Sequence, residues 1–164
     1  MTPIQLARYY CAIANGGLLM KPMIVRAYVD GSGRIVRSFA PQTIRRVFSE
    51  RTASRLRAFL RAVVVAGTGD PTAQIPGYGT AGKTGTAQMV ENGIYEPGAY
   101  SASFIGMIPY QHPRYVIYVK LDRPVGSYYG SEVAAPAFAQ IARAAMLRDG
   151  VLPHGSDAIG ATTR

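Results

Sequence analysis

Apolar positions at Ile4, Ala7, Cys11 and Ala14, widened by Leu6, Tyr10 and Ile13, repeat at the spacing of one helical face. Thr2 stands before them as an N-cap, Pro3 suits the first helical position, and Gln5 completes a capping box with Thr2. Asn15-Gly16-Gly17 stops the pattern, because glycine accepts the left-handed backbone of a helix end. A helix so well formed from residue two reads as a cut through a larger domain. Two short strands are predicted at 23–29 and 34–38, around the turn-rich Asp30-Gly31-Ser32-Gly33. A second helix runs from its N-cap Ser49 to Ala66, with the stripe Leu56, Phe59, Leu60, Val63 and Val64, and Gly67-Thr68-Gly69 ends it.

Three strands follow at 81–90, 101–109 and 114–121. Asn92-Gly93 closes the first as a pair tolerant of positive φ, and a loop containing Glu96-Pro97-Gly98 leads into the second. Gln111-His112-Pro113 connects to the third, RYVIYVKL, which is apolar on both faces apart from Lys120, as expected of a strand covered on both sides. The last helix begins near Ala135-Pro136, carries Phe138, Ile141, Ala142, Ala145 and Met146 on one face, and ends at Gly150 and Pro153. The order predicts an α+β fold, a three-strand antiparallel meander with flanking helices. Residues 1–153 read as the folded part, and 154–164, small and polar, as a flexible tail.

Charge adds a constraint on partners. Eighteen basic residues face nine acidic ones, for a formal net charge of +9, which suits an anionic neighbour such as a cell-wall polymer, a membrane surface or nucleic acid. The densest group, Arg45, Arg46, Arg51, Arg55, Arg57 and Arg61, reads as a solvated helix face rather than a nucleic-acid patch. Neither zinc-finger spacing nor an aromatic RNA-binding signature accompanies it. Cys11 is the only cysteine, so an internal disulfide is impossible, and its helical setting predicts a buried free thiol. His112 and His154 have no partner at ligand spacing, so neither metal nor cofactor is expected. The chain has no signal-peptide pattern, and no apolar run approaches the roughly 18 residues that span a bilayer.

The first strand of the meander contains Lys83-Thr84-Gly85-Thr86. Alone, a Lys-Thr-Gly triplet is weak and reads equally as an ordinary strand with a glycine. Its context of strand, Asn-Gly turn, two further strands and a covering helix matches the setting of the third motif of penicillin-recognising serine enzymes. Here the chain resembles class B penicillin-binding proteins, most of all the septum-type peptidoglycan D,D-transpeptidases. The segments that carry the resemblance are TPIQLARYYCAIANGG, AGKTGTAQ, ASFIGMIP, PRYVIYVKLDRP and YYGSEVAAPAF, in order from Thr2 to about Pro153.

The resemblance implies the carboxy-terminal part of a transpeptidase domain, with a partial penicillin-binding-protein/β-lactamase-like fold. Thr84 and Thr86, on one strand face, would bond the terminal carboxylate of a D-alanyl-D-alanine stem peptide or of a β-lactam. Lys83, on the other face, would supply positive charge, and Gly85 would let the substrate backbone lie against the strand. The Thr86 N–H would be one of two oxyanion-hole donors. Tyr95, Tyr100, Tyr128 and Tyr129 border the meander and read equally as groove wall or as packing.

Such enzymes also need a Ser-x-x-Lys pair and a Ser-x-Asn motif. No serine of this chain has a lysine three residues on, and neither Asn15 nor Asn92 has a serine two residues before it. In a complete family member both motifs and a membrane anchor would precede Thr2. The chain is therefore expected to be inactive alone, its parent anchored in the inner membrane with this domain on the periplasmic side. Division proteins are possible partners of that parent. The competing reading is a non-catalytic module that grips cell-wall peptide or a division partner.

Overall fold

The computed structural model describes residues 1–68 and 71–153, so the expected tail with His154, and Gly69, lie outside the described residues. Helix α1, Pro3–Ala14, starts as its sequence dictates. Thr2 Oγ1 accepts from the Gln5 N–H at 3.4 Å, and Gln5 Oε1 accepts from the Thr2 N–H at 2.8 Å. Its inward face is Ala12 and Ile13, whereas Ile4 and Cys11 are exposed. The expected burial of the Cys11 thiol is thus corrected: the face of α1 that meets the core is centred on Ala12 and Ile13, which leaves Cys11 at its exposed margin.

Strands β1, Leu18–Met20, and β4, Thr43–Arg46, pair antiparallel and enclose the hairpin of β2, Ala27–Val29, and β3, Ile35–Ser38. Asp30 ties the hairpin turn, its Oδ1 accepting from both the N–H and Oγ of Ser32 and from the Arg34 N–H. The expected strand at 23–29 shrinks to its last three residues, and β1 and β4 were not predicted. Helix α2, Glu50–Ala66, is capped by Ser49, whose Oγ accepts from the Thr52 N–H at 3.1 Å. Ala53 and Val64 are its fully buried positions, Leu56 and Leu60 pack against the cluster of Ile13, Ala81 and Met107, and Phe59 faces solvent at 63% exposure.

Strands β5, Ala81–Glu91, β6, Ile94–Ile108, and β7, Tyr115–Asp122, form one antiparallel sheet in that order. Asn92 (φ 52°) and Gly93 (φ 81°) make the tight turn that Asn-Gly announces. The Glu96-Pro97-Gly98 loop is corrected to an irregular stretch within β6, where the register slips between Gln88↔Tyr100 and Val90↔Tyr95. Helix α3, Gly130–Arg148, begins five residues before the expected Ala135 and keeps Pro136 in its interior. Gly130 must start it there. A Cβ at this position would lie 2.3 Å from the Ser103 carbonyl oxygen and 2.8 Å from that of Gly85, so only glycine lets the helix end approach the sheet.

Helices cover both faces of the sheet. On one, Phe104 and Ile108 meet Ala134, Ala135, Phe138, Ala142 and Met146 of α3; on the other, Ala81 and Met107 meet Ile13 of α1. In β7, Ile117, Val119 and Leu121 serve the first core and Val116 the second, as the two-faced apolar pattern predicts. Helix α2 feeds both cores and locks to its neighbours through two arginines. Arg57 donates to the Ile13 carbonyl at 3.2 Å, and Arg61 donates to that of Thr80 at 3.1 Å while lying over the Tyr110 ring. These two are struts, not members of a solvated face.

Strand β7 has a neighbour on one side only among the described residues, so a row of its N–H and C=O groups is open. The isolated chain is expected to self-associate along this edge, seen as concentration-dependent mass in sedimentation. A monodisperse monomer with slow amide exchange along 114–121 would contradict that.

Candidate active site

Lys83, Thr84, Gly85 and Thr86 lie in β5, opposite Ile105, Phe104, Ser103 and Ala102 of β6. Thr84 and Thr86 share the face of Phe104, which α3 covers, and Lys83 and Gly85 take the other, as a period of two requires. The long lysine arm offsets this alternation. Lys83 Nζ donates to the Thr84 carbonyl, to Thr84 Oγ1 and to Thr68 Oγ1, each at 3.1 Å. The Thr68 and Thr84 hydroxyls are themselves hydrogen-bonded at 2.9 Å. Lys83 and Thr86 are exposed and Thr84 is half-buried, so the cluster faces outward from the strand.

Thr86 is held by the start of α3: its Oγ1 accepts from the Gly130 N–H at 3.3 Å, which leaves its own O–H to donate. Gly85 is backed by Ser103, whose Oγ donates to the Gly85 carbonyl at 3.4 Å. β5 pairs only with β6 among the described residues, so its outer backbone groups beside the motif are open to an extended ligand. An ammonium, threonine hydroxyls and open backbone donors on one strand suit an anionic peptide end.

Three tyrosines flank this strand. The Tyr100 ring stacks on Tyr128 at 4.3 Å between centroids, and Tyr128 lies against Tyr129 at 4.6 Å. The hydrogen bond to Tyr129, then that neighbour's charge, push the Tyr128 phenol above its ordinary pKa. Tyr95 is exposed and outside this stack. Thr80, which shares the Thr-x-x-Lys spacing with Lys83, is fully buried and donates to the Ala73 carbonyl at 2.7 Å, so it is structural. Sequence reasoning missed Thr68 and the Gly130 amide. From the sequence Thr68 reads only as part of a helix stop, and nothing local ties either residue to β5.

A hollow of about 310 Å³ lies elsewhere, between Lys21, Met23, Tyr28 and Phe39 of the β1–β4 region. It contains none of the motif residues.

The edge strand of this antiparallel sheet carries Lys-Thr-Gly, the third sequence motif of penicillin-recognising serine enzymes. The sequence matches the profile of the penicillin binding protein transpeptidase domain over residues 1–143. Stage V sporulation protein D of Bacillus subtilis is 39% identical over 156 residues, covering 94% of this chain and 24% of that protein. PbpB of Mycobacterium tuberculosis is 41% identical over 162 residues, covering 92% of this chain and 24% of that protein. A crystal structure of penicillin-binding protein 3 from Mycobacterium tuberculosis, complexed with ampicillin, superposes with a TM-score of 0.82 at 40% identity, covering 96% of this chain and 37% of that one. The transpeptidase domain of Burkholderia pseudomallei penicillin-binding protein 3 gives a TM-score of 0.76 at 37% identity, covering 93% of this chain and 44% of that one. The chain belongs to the penicillin-binding protein transpeptidase family, and the class B resemblance is borne out. It spans about a quarter of the length of these curated relatives.

Proposed function

We propose that this chain is the carboxy-terminal part of a serine D,D-transpeptidase domain and supplies the wall of the site that grips the substrate carboxylate. The observation that carries this reading is the Lys83–Thr84–Thr86 arrangement on an open edge strand, in a chain with no Ser-x-x-Lys pair. The nucleophilic serine then comes from a part of the protein outside these 164 residues.

That serine attacks the carbonyl of the penultimate D-alanine of a stem peptide. A tetrahedral oxyanion forms, bound by the Thr86 N–H and the amide of the nucleophile's own residue. Its collapse breaks the peptide bond, the proton given up by the serine passes to the leaving nitrogen, and D-alanine departs, leaving a serine ester. An amine of a neighbouring stem peptide attacks the ester, forms the cross-link and returns the serine hydroxyl. Penicillin enters the same path as a carboxylate-bearing acyl donor and stops at the ester. The carboxylate lies against the Thr84 and Thr86 hydroxyls, with the Lys83 charge offsetting its own. The parent is anchored in the inner membrane with this domain on its outer side, where peptidoglycan and division proteins are its partners; among the described residues no helix is long and apolar enough to cross a membrane.

Labelled penicillin tests the reading. The complete protein should form a stoichiometric, hydroxylamine-sensitive adduct on a serine outside these 164 residues, and the isolated chain should stay unlabelled. An adduct on a residue of this chain would overturn the proposal. A complete protein that binds stem peptide without labelling would favour the non-catalytic module.

A further inference from the structure

We infer that Thr68 is a positioning residue of this site, holding the Lys83 ammonium and one outward-directed hydroxyl against the carboxylate of the substrate. The inference rests on the transpeptidase reading above and adds to the strand motif a residue from the end of a helix. The backbone is built to deliver it. α2 ends at Ala66, and a Cβ on Gly67 would lie 2.7 Å from the Val63 carbonyl oxygen and 3.0 Å from Val63 Cα. Only glycine permits so close a turn against the last helical carbonyls, and that turn brings Thr68 to β5. Thr68 is there the only hydroxyl from outside β5 that meets Lys83 among the described residues.

Proton counting shows what the cluster presents. An ammonium has three donors and no acceptor. All three are committed, to the Thr84 carbonyl, Thr84 Oγ1 and Thr68 Oγ1. Both hydroxyl oxygens therefore accept from Lys83, and their mutual contact of 2.9 Å consumes one of their two protons. One O–H remains with no acceptor inside the triangle. The cluster thus offers a fixed positive charge and one spare donor, the complement of a carboxylate oxygen. The carboxy-terminal end of α2 also favours a cation beside it. Without the Thr68 hydroxyl, Lys83 loses one of its three anchors and Thr84 Oγ1 loses the hydroxyl that holds it, so both must be ordered by the ligand itself.

The test compares acylation rates of the complete protein with benzylpenicillin and with its methyl ester, whose carboxylate charge is removed. Thr68→Val keeps the side-chain shape and removes the hydroxyl; it is expected to slow acylation by the acid about 10- to 100-fold, the worth of a hydrogen bond to a charged group. On the ester the same variant should differ from the native protein by less than about threefold. Thr68→Ser restores the hydroxyl and is expected to recover most of the loss. An unchanged rate with the acid would overturn the inference. So would equal losses on acid and ester, or failure of serine to rescue, since each means a merely structural role. Lys83→Ala run in parallel separates the two levels. If it leaves the acid rate unchanged, the transpeptidase reading itself fails; if it slows acylation and Thr68→Val does not, only the role of Thr68 fails.

Discussion

Lys83→Ala, made in the complete protein, is expected to slow acylation by penicillin roughly 100- to 1000-fold, the scale seen when a preorganised charge-stabilising group is removed from an active site. The fold should hardly notice. Lys83 is exposed, and its bonds go to two threonine hydroxyls and one carbonyl at the surface, not to a buried partner. Substitutions of that kind sit within about 0.5 kcal/mol in stability. Lys120→Ala is the matched control. Lys120 is also a strand lysine, but it lies on β7, separated from β5 by β6, and pairs at the surface with Asp122. Its loss should change the acylation rate less than about threefold, as expected of an exposed ion pair. Equal rates for the native protein and Lys83→Ala would contradict the assignment.

A second large effect is expected in stability and decides between two phenylalanines that the sequence places alike. Phe138 is fully buried, with its ring 4.7 Å from that of Phe104 between α3 and β6. The Gly106 position is so close that a Cβ there would lie 2.8 Å from both rings. Phe138→Ala would leave a cavity this packing cannot close, at about 3–5 kcal/mol. At about 2–4 °C per kcal/mol for a domain of this size, thermal denaturation should show a fall of roughly 6–20 °C. Phe59→Ala, on the solvent side of α2, should fall within about 0.5 kcal/mol of native. Comparable losses for the two variants would mean that α2 is turned differently from the helix described here.

That contrast shows where sequence reading reached and where it stopped. Local signals came through because the chemistry that makes them is local. The Thr2–Gln5 box, the Ser49 cap and the Asn92-Gly93 turn each satisfy backbone groups within three residues of themselves. The Lys-Thr-Gly strand was legible because the Asn92-Gly93 turn closes it and two further strands and a helix follow. What escaped depends on neighbours far along the chain. β1 and β4 are three and four residues long and exist through pairing across more than twenty residues. Phe59, Ile141 and Cys11 satisfy a helical stripe yet face outward, because the apolar arc is wider than the surface the sheet offers. Pro136 suggested a helix start, but close packing of Gly130 on Ser103 and Gly85 moves the start one turn and more upstream. Thr68 escaped for the same reason: its role depends on a contact with Lys83, fifteen residues away, that no local pattern encodes.

The most direct measurement is a crystal structure of the complete transpeptidase after acylation by a penicillin. The penicillin carboxylate should lie within about 2.7–3.1 Å of the Thr84 and Thr86 hydroxyls with Lys83 Nζ beside them, and the ester carbonyl oxygen should accept from the Thr86 N–H at a similar distance. A carboxylate bound elsewhere, with β5 of this chain untouched by the ligand, would contradict the account.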